Sequence, residues 1–229
     1  MNRDTQLDRM MGILSITAAA VLTAADYLLE FHSGYGLGTS VVEPAWLTMG
    51  SWRFTLSIHL CLFMIPFYLA GFFLLHKALS RTHRAAAVII PVLFSYGVIM
   101  GSPFIHGVMN LNALVYKNGV RLSISAEVLT DLIENTVTAA ILPGFLFHYI
   151  ITWIIAPCAL FFTIISGKSV FRRWTAFLNP LVFLIAGTVG LKLLPSVFAY
   201  LAPGAINKGN LAMFTLVTVK MWKRKAEPD

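Results

Sequence analysis

The chain has 229 residues, of which 58% are hydrophobic and only 12% charged, with a formal net charge of +7. A soluble domain carries about 25% charged residues, so a water-soluble globular fold is excluded and most of the chain faces no water. The positive charge does not signal nucleic acid, because the basic residues sit at the ends of apolar runs instead of forming one polar stripe.

A helix needs about 20 apolar residues to cross a bilayer, and six stretches are read as spans. The first covers residues 10–31. It follows Arg3 and Arg9, and Thr23-Ala24-Ala25 has the small residues of a signal-peptide cleavage site. Hydrophobicity nevertheless continues through Tyr27, Leu28 and Leu29, so the stretch is read as a retained span. The others cover residues 52–79, 85–115, 136–165, 174–201 and 206–222, the last being short and the least hydrophobic. Prolines at Pro66, Pro91, Pro103, Pro143, Pro157, Pro180 and Pro195 predict kinks, and Pro103 places one beside His106. No linker, charge block or repeat divides residues 1–229, so the expected fold is all-α, a single transmembrane bundle of about six helices.

Twelve lysines and arginines flank one set of span ends: Arg3 and Arg9, then Lys77, Arg81 and Arg84, then Lys168, Arg172 and Arg173, then Lys220, Lys223, Arg224 and Lys225. Only Arg53, Lys117, Arg121 and Lys208 flank the other set, and Lys192 lies inside a span. The positive-inside rule therefore puts both termini in the cytoplasm. The two long connections face outward. Residues 32–51 contain Gly34, Gly36, Gly38, Gly50 and Trp46. Residues 116–135 contain the turn signal Lys117-Asn118-Gly119, then Leu122, Ile124, Val128, Leu129, Leu132 and Ile133 among polar residues, the pattern of a short interfacial helix. Trp46, Trp52, Trp174 and Trp222 read as interfacial aromatics, and Trp153, deeper, as a cavity residue.

Ionisable groups inside a span are expensive and usually face a cavity or a partner. With the orientation above, they gather in the outer halves of the helices. Asp26 and Glu30 are four residues apart, on one face of the first helix. Arg53 and His59 lie early in the second, His106, Asn110 and Asn112 late in the third, and Glu134 and Asn135 at the start of the fourth, with His148 midway along it. Lys192 is in the outer half of the fifth, and Asn207, Lys208 and Asn210 open the sixth. These positions predict an outward-facing polar pocket roofed by the two long connections. Lys192 is expected to pair with Asp26 or Glu30, since an unpaired ammonium in hydrocarbon is costly. Asn179-Pro180 is read as shaping a helix start.

Cys61 and Cys158 fall in apolar segments and read as small hydrophobes with no disulfide, no metal-ligand spacing is present, and no cofactor is expected. Zincin, Walker and GxSxG sequences are absent. Ser57 and Ser102 are candidate nucleophiles by residue type alone.

Three stretches carry a resemblance: Ala25-Asp26-Tyr27-Leu28-Leu29, then Ser51-Trp52-Arg53 leading to Gly71-Phe72-Phe73, then Arg173-Trp174 through Leu178-Asn179-Pro180. With the closing Asn207-Lys208-Gly209-Asn210, the chain resembles, over nearly its whole length, a family of small bacterial polytopic membrane proteins of unknown function. The resemblance implies a bacterial cytoplasmic membrane and supplies no activity. A looser likeness, in chemistry and not in motif, is to sterol-isomerase-type membrane enzymes, for which Asp26, Glu30, His106 and Trp153 are the right residue types.

Two functions fit these residues. One is binding of a small amphipathic or lipid-derived ligand among membrane lipids, contacted by Arg53, His59, Asn110, Glu134, Trp153, Lys192 and Asn210. The other is acid/base catalysis on an isoprenoid or lipid substrate by Asp26, Glu30 and His106, with Arg53 or Lys192 holding an anionic headgroup. Close convergence of Asp26, Glu30 and His106 on an enclosed void would favour the enzyme.

Overall fold

The computed structural model describes residues 3–32 and 41–223. Gly34, Gly36 and Gly38 of the first outer connection, and the basic Arg224 and Lys225, lie outside the described residues. Seven helices and no strand occur among the described residues: α1 (Arg3–Glu30), α2 (Ser51–Leu79), α3 (Arg84–Arg121), α4 (Ala126–Ile165), α5 (Pro180–Leu193), α6 (Pro195–Leu201) and α7 (Ala205–Lys223). Four of them, α1 to α4, are long and apolar enough to cross a membrane.

The apolar residues on the outside of these helices are large. Phe63, Phe147 and Phe162 are exposed, as are Val88, Ile89 and Val92 along α3. Such a continuous apolar surface is unstable in water and suits lipid. Inside, α1 packs against α2 and α7, α2 against α3, and α7 against α5. Close approach depends on small residues. A Cβ at Gly71 of α2 would fall 2.4 Å from the Phe214 ring of α7.

The third and fourth helices differ from the expected spans in both length and winding. At 38 and 40 residues, each is close to 60 Å long, about twice the hydrocarbon core. The connection expected over 116–135 is therefore mostly helix, with a tight turn at Leu122–Ser125. Leu129 packs onto Gly119 across the hairpin, while Leu122, Val128 and Leu132 stay exposed. Both helices contain π-helical turns: Ser102–Met109 in α3, and Ile133–Thr138 and Ile150–Ile155 in α4. The first has in its opening turn Pro103, whose missing N–H disrupts the regular ladder, and it carries His106.

Residues 174–201, expected as one helix, form three pieces. A 3₁₀ turn at Arg173–Phe177 packs on the end of α4. Asn179 then caps α5, accepting from Leu181 N at 2.9 Å and donating to Pro157 O at 2.9 Å, so Asn179-Pro180 does shape a helix start. Pro195 cannot continue α5, the chain turns at Leu194, and α6 folds back until Phe198 covers Gly190. The start of α5 lies against Gly209 in the second turn of α7.

Two ends of the bundle are distinct. Asp8 pairs with Lys77 at 2.6 Å, and the Arg9 guanidinium lies over the Trp222 ring, so the start of α1, the end of α2 and the end of α7 share one end. At the other end, a second small core forms where Trp46 packs edge-on to Phe54 and Tyr116. Trp46 is thus a core residue and not an interfacial one, whereas Trp52, Trp174 and Trp222 are exposed.

Candidate functional site

Asp26 sits one turn before the end of α1 and is buried. Its Oδ1 lies 3.0 Å from His106 Nε2, and its Oδ2 accepts from Asn207 Nδ2 at 2.7 Å. Asn207 in turn accepts from the Tyr68 hydroxyl at 2.6 Å. On the other side, His106 Nδ1 lies 3.0 Å from Ser57 Oγ. The Ser57 hydroxyl donates to Ala25 O at 2.9 Å and accepts from Asn110 Nδ2 at 3.2 Å. One network therefore ties α1, α2, α3 and α7 together.

Proton bookkeeping assigns its state. A hydroxyl has one proton and two lone pairs. With the Ser57 proton on Ala25 O, both lone pairs accept, one from Asn110 and one from His106 Nδ1–H. A single proton then remains for the His106–Asp26 bond, so the pair is neutral overall, whether drawn as imidazolium carboxylate or as imidazole and carboxylic acid. The Ser-His-Asp order resembles a hydrolase triad, but the roles do not. Ser57 is fully buried behind His106, takes no part in the cavity wall and directs its proton to the backbone. It orients the imidazole.

Asp26 and His106 form part of the wall of a cavity of about 200 Å³, whose polar lining also includes Glu30, Tyr68, Ser102, His148, Asn207 and Asn210. Four buried side-chain atoms have no hydrogen-bond partner among the described residues: Asn110 Oδ1, His148 Nδ1, Asn210 Oδ1 and Thr218 Oγ1. A second cavity of about 330 Å³ lies toward the end that holds Trp46, lined largely by apolar side chains such as Phe104, Ile141, Leu142 and Phe145. Glu30, Ile105 and Trp153 line both, so the cavities adjoin.

The turn joining α6 to α7 closes the inner cavity. Gly204 has φ +67°, and a Cβ there would lie 2.9 Å from Asp26 Oδ2. Only glycine suits both the left-handed backbone and that approach. The turn lets Asn207 reach the carboxylate.

Of the residues singled out from sequence, Asp26, Glu30, His106, Trp153 and Asn210 come together around the cavity. Asn110 stands behind it, bonded to Ser57 and to His106 O. The remaining candidates lie elsewhere. Arg53 donates to Tyr27 O, Leu28 O and Phe31 O, capping the C-terminus of α1, where a cation complements the helix dipole. His59 is exposed and bonds Thr55 O. Glu134, in the π-helical turn of α4, lines neither cavity. Lys192 is exposed, and both Asp26 oxygens are engaged by His106 and Asn207, so the expected ion pair of Lys192 with Asp26 does not form. Tyr68, Asn207 and Gly204 were not among the sequence candidates for the site. Asn207 was visible as a polar residue opening a span; a tyrosine inside an apolar run and a glycine before a helix carry no such signal.

The sequence model of a family of unknown function (DUF6796) matches residues 1–225. The chain belongs to this family. No curated protein and no solved structure matches it. Membership agrees with the resemblance to an uncharacterised family of membrane proteins, and it leaves the cavity as the guide to function.

Proposed function

We propose that the protein is a six-pass protein of the bacterial cytoplasmic membrane, with both termini cytoplasmic, that holds a small amphipathic or lipid-derived ligand in an outward-facing cavity. The crossing count rests on connectivity. The tight turn at Leu122–Ser125 returns α4 to the end where α3 began, and α7 starts at the opposite end beside Asp26. That connectivity supports one crossing between Ile165 and Ala205, through the short α5 and the segment before it. The excess of basic residues at the end holding Arg9 and Lys77 supports a cytoplasmic assignment for that end.

The observation that carries the binding reading is the pairing of two adjoining cavities, one with a polar wall and one largely apolar. That is the shape required by a molecule with a polar head and an apolar body. Native mass spectrometry of the protein released from mild detergent tests it. A bound small molecule is expected on the parent and not on Ile105→Trp, which plugs the junction. No bound mass on either, or equal binding by both, would overturn the reading.

A membrane-embedded acid/base enzyme is the second reading. It is favoured by the one proton shared between Asp26 and His106 on the cavity wall. Against it, both oxygens of Asp26 and both nitrogens of His106 are already engaged within the protein. Asp26→Asn separates the two readings. An enzyme would retain its ligand unconverted, and the lipid profile of the cell would match that of a deletion strain.

A further inference from the structure

The amphipathic-ligand reading leaves the head group open, and the charged groups around the cavities narrow it. No lysine or arginine lines either cavity among the described residues. Residues 33–40, outside the described residues, contain neither. Arg53 caps α1 through three carbonyls. Lys208 donates to Leu201 O at 2.6 Å and to the Tyr27 hydroxyl at 2.8 Å. Lys117 bonds Leu47 O, and Lys192 is exposed. A phosphate or carboxylate head in either cavity would meet carboxyl groups and no lysine or arginine. Burying an unpaired anion is costly, and recognition of such groups normally uses arginine or lysine. Neither Arg53 nor Lys192 is placed to hold an anionic headgroup there.

The negative side of the account does not cancel. Asp26 and His106 share one proton and are neutral as a pair. His148 has Nδ1 sealed without a partner, so an imidazolium there would bury an unanswered charge, and the ring is neutral. Glu30, on the wall of both cavities, is then the one charge left in the inner cavity. In the second cavity Glu30 is joined by Glu43 against His32 alone. With both carboxyls ionised, that wall is negative whether or not His32 carries a proton. Two further groups suit a cation. Trp153 shares both walls with Glu30. Asn112 lines the second cavity with a relative exposure of 6%. Its side chain makes no hydrogen bond among the described residues, and neither amide atom is among the sealed unpartnered ones, so the amide opens on the cavity. A buried but open amide with nothing to bond is a group that a ligand completes.

We infer, resting on the ligand-binding reading above, that the ligand's polar head is a protonated amine seated where the two cavities join. Glu30 is its counter-ion, the Asn112 amide oxygen accepts from it, and Trp153 supplies the aromatic ring that attracts an organic cation most strongly. An ammonium only donates, which suits a wall offering a carboxylate and an amide oxygen. Glu30 also interacts within the protein. A carboxylate has roughly four lone-pair sites, so the amine need not displace that contact. The apolar body lies against Phe104, Ile141, Leu142 and Phe145 in the second cavity.

Native mass spectrometry of the full chain in a non-ionic detergent at neutral pH tests this. Three probes of one chain length, dodecylamine, dodecanol and dodecyl phosphate, are titrated separately. The amine is expected to half-saturate the parent at a concentration about tenfold or more below the other two. The chain has a formal net charge of +7, so adsorption to its surface favours the phosphate, and a preference for the amine belongs to the cavity. Glu30→Gln keeps the shape and removes the charge, and in it the amine is expected to bind no better than the alcohol. Trp153→Leu, the second variant should Glu30→Gln fail to fold, is expected to weaken the amine several-fold more than the alcohol. Tightest binding of the alcohol or the phosphate to the parent, or equal binding of all three, overturns the inference. If that binding is still lost in Ile105→Trp, the ligand-binding reading stands. An amine preference that survives Glu30→Gln, or equal weakening of amine and alcohol in Trp153→Leu, also overturns it, because the charge is then met elsewhere. No probe bound to the parent overturns the inference, and with no co-purified molecule either, it removes both readings.

Discussion

Two sets of buried polar groups beside one cavity obey opposite rules. Around Asp26, the carboxylate, the imidazole of His106, the hydroxyls of Ser57 and Tyr68 and the amide of Asn207 engage one another across four helices. His148 Nδ1 and Asn210 Oδ1, by contrast, have no partner among the described residues, although both residues are as deeply buried. A buried polar group with all its bonds made is part of the scaffold, and its loss leaves the others unsatisfied. A buried polar atom without a bond already carries that cost in the folded protein, so removing it harms nothing until a ligand is present. Stability and binding should therefore separate along this line.

The largest effect is expected for Asp26→Leu. It strands the imidazole of His106 and the amide of Asn207 in a buried site, and breaking a buried pair in this way costs about 3–5 kcal/mol. Thermal unfolding in mild detergent should show a large fall in midpoint. If Asp26→Leu unfolds at the same temperature as a control such as Lys192→Met, which alters an exposed side chain, the Asp26 network is not a scaffold and the comparison fails.

A smaller loss is expected for Gly204→Ala. The added methyl group meets a backbone at φ +67° and an Asp26 oxygen 2.9 Å away. Strain of this kind amounts to about 1–3 kcal/mol. Asp26→Leu and Gly204→Ala should be non-additive when combined, because the second acts partly through the first. Full additivity would place the cost of Gly204→Ala in the turn alone.

Much of this architecture was legible in the chain, and the failures have definite causes. The first four spans follow from apolar length, a property that needs no knowledge of packing. Asp26 and His106 stood out because a titratable group in an apolar run is costly enough to demand a reason. Their direct pairing was not legible, since hydropathy gives depth along a helix but not which face meets which neighbour. The same gap produced the Lys192 expectation: depth brings Lys192 near the carboxylates, while the structure leaves it exposed on α5. Trp46 was misplaced because an aromatic near a span end fits both an interfacial belt and a small outer core, and only Phe54 and Tyr116 beside it decide. In 174–201 composition alone suggests one span, but Pro180 and Pro195 carried the break, and Pro195 turned out to be a helix start and not a kink. The π-helical turn holding His106 has Pro103 as its only sequence signature.

The smallest change in stability is expected for His148→Leu, and it bears most directly on the unpartnered groups. Beside a ring contact with Tyr96, the imidazole makes one side-chain hydrogen bond among the described residues, at 3.5 Å to Thr152 Oγ1, beyond the usual range for a strong hydrogen bond. Thr152 keeps its better bond, to His148 O at 2.8 Å, because that acceptor is backbone and survives the substitution. Leucine is similar in size and brings no polar atom to satisfy. The unfolding midpoint should stay within the range of a neutral surface change, about 0.5 kcal/mol, or rise as a buried unsatisfied nitrogen is removed. Ligand retention should nevertheless fall, measured by native mass spectrometry on the same preparation. A marked loss of stability would mean that His148 belongs to the scaffold after all, and the two sets of groups would then not differ in kind. Unchanged stability with unchanged retention would leave the nitrogen unsatisfied for no reason connected with a ligand. Only stability kept and ligand lost fits a group that acts on a ligand.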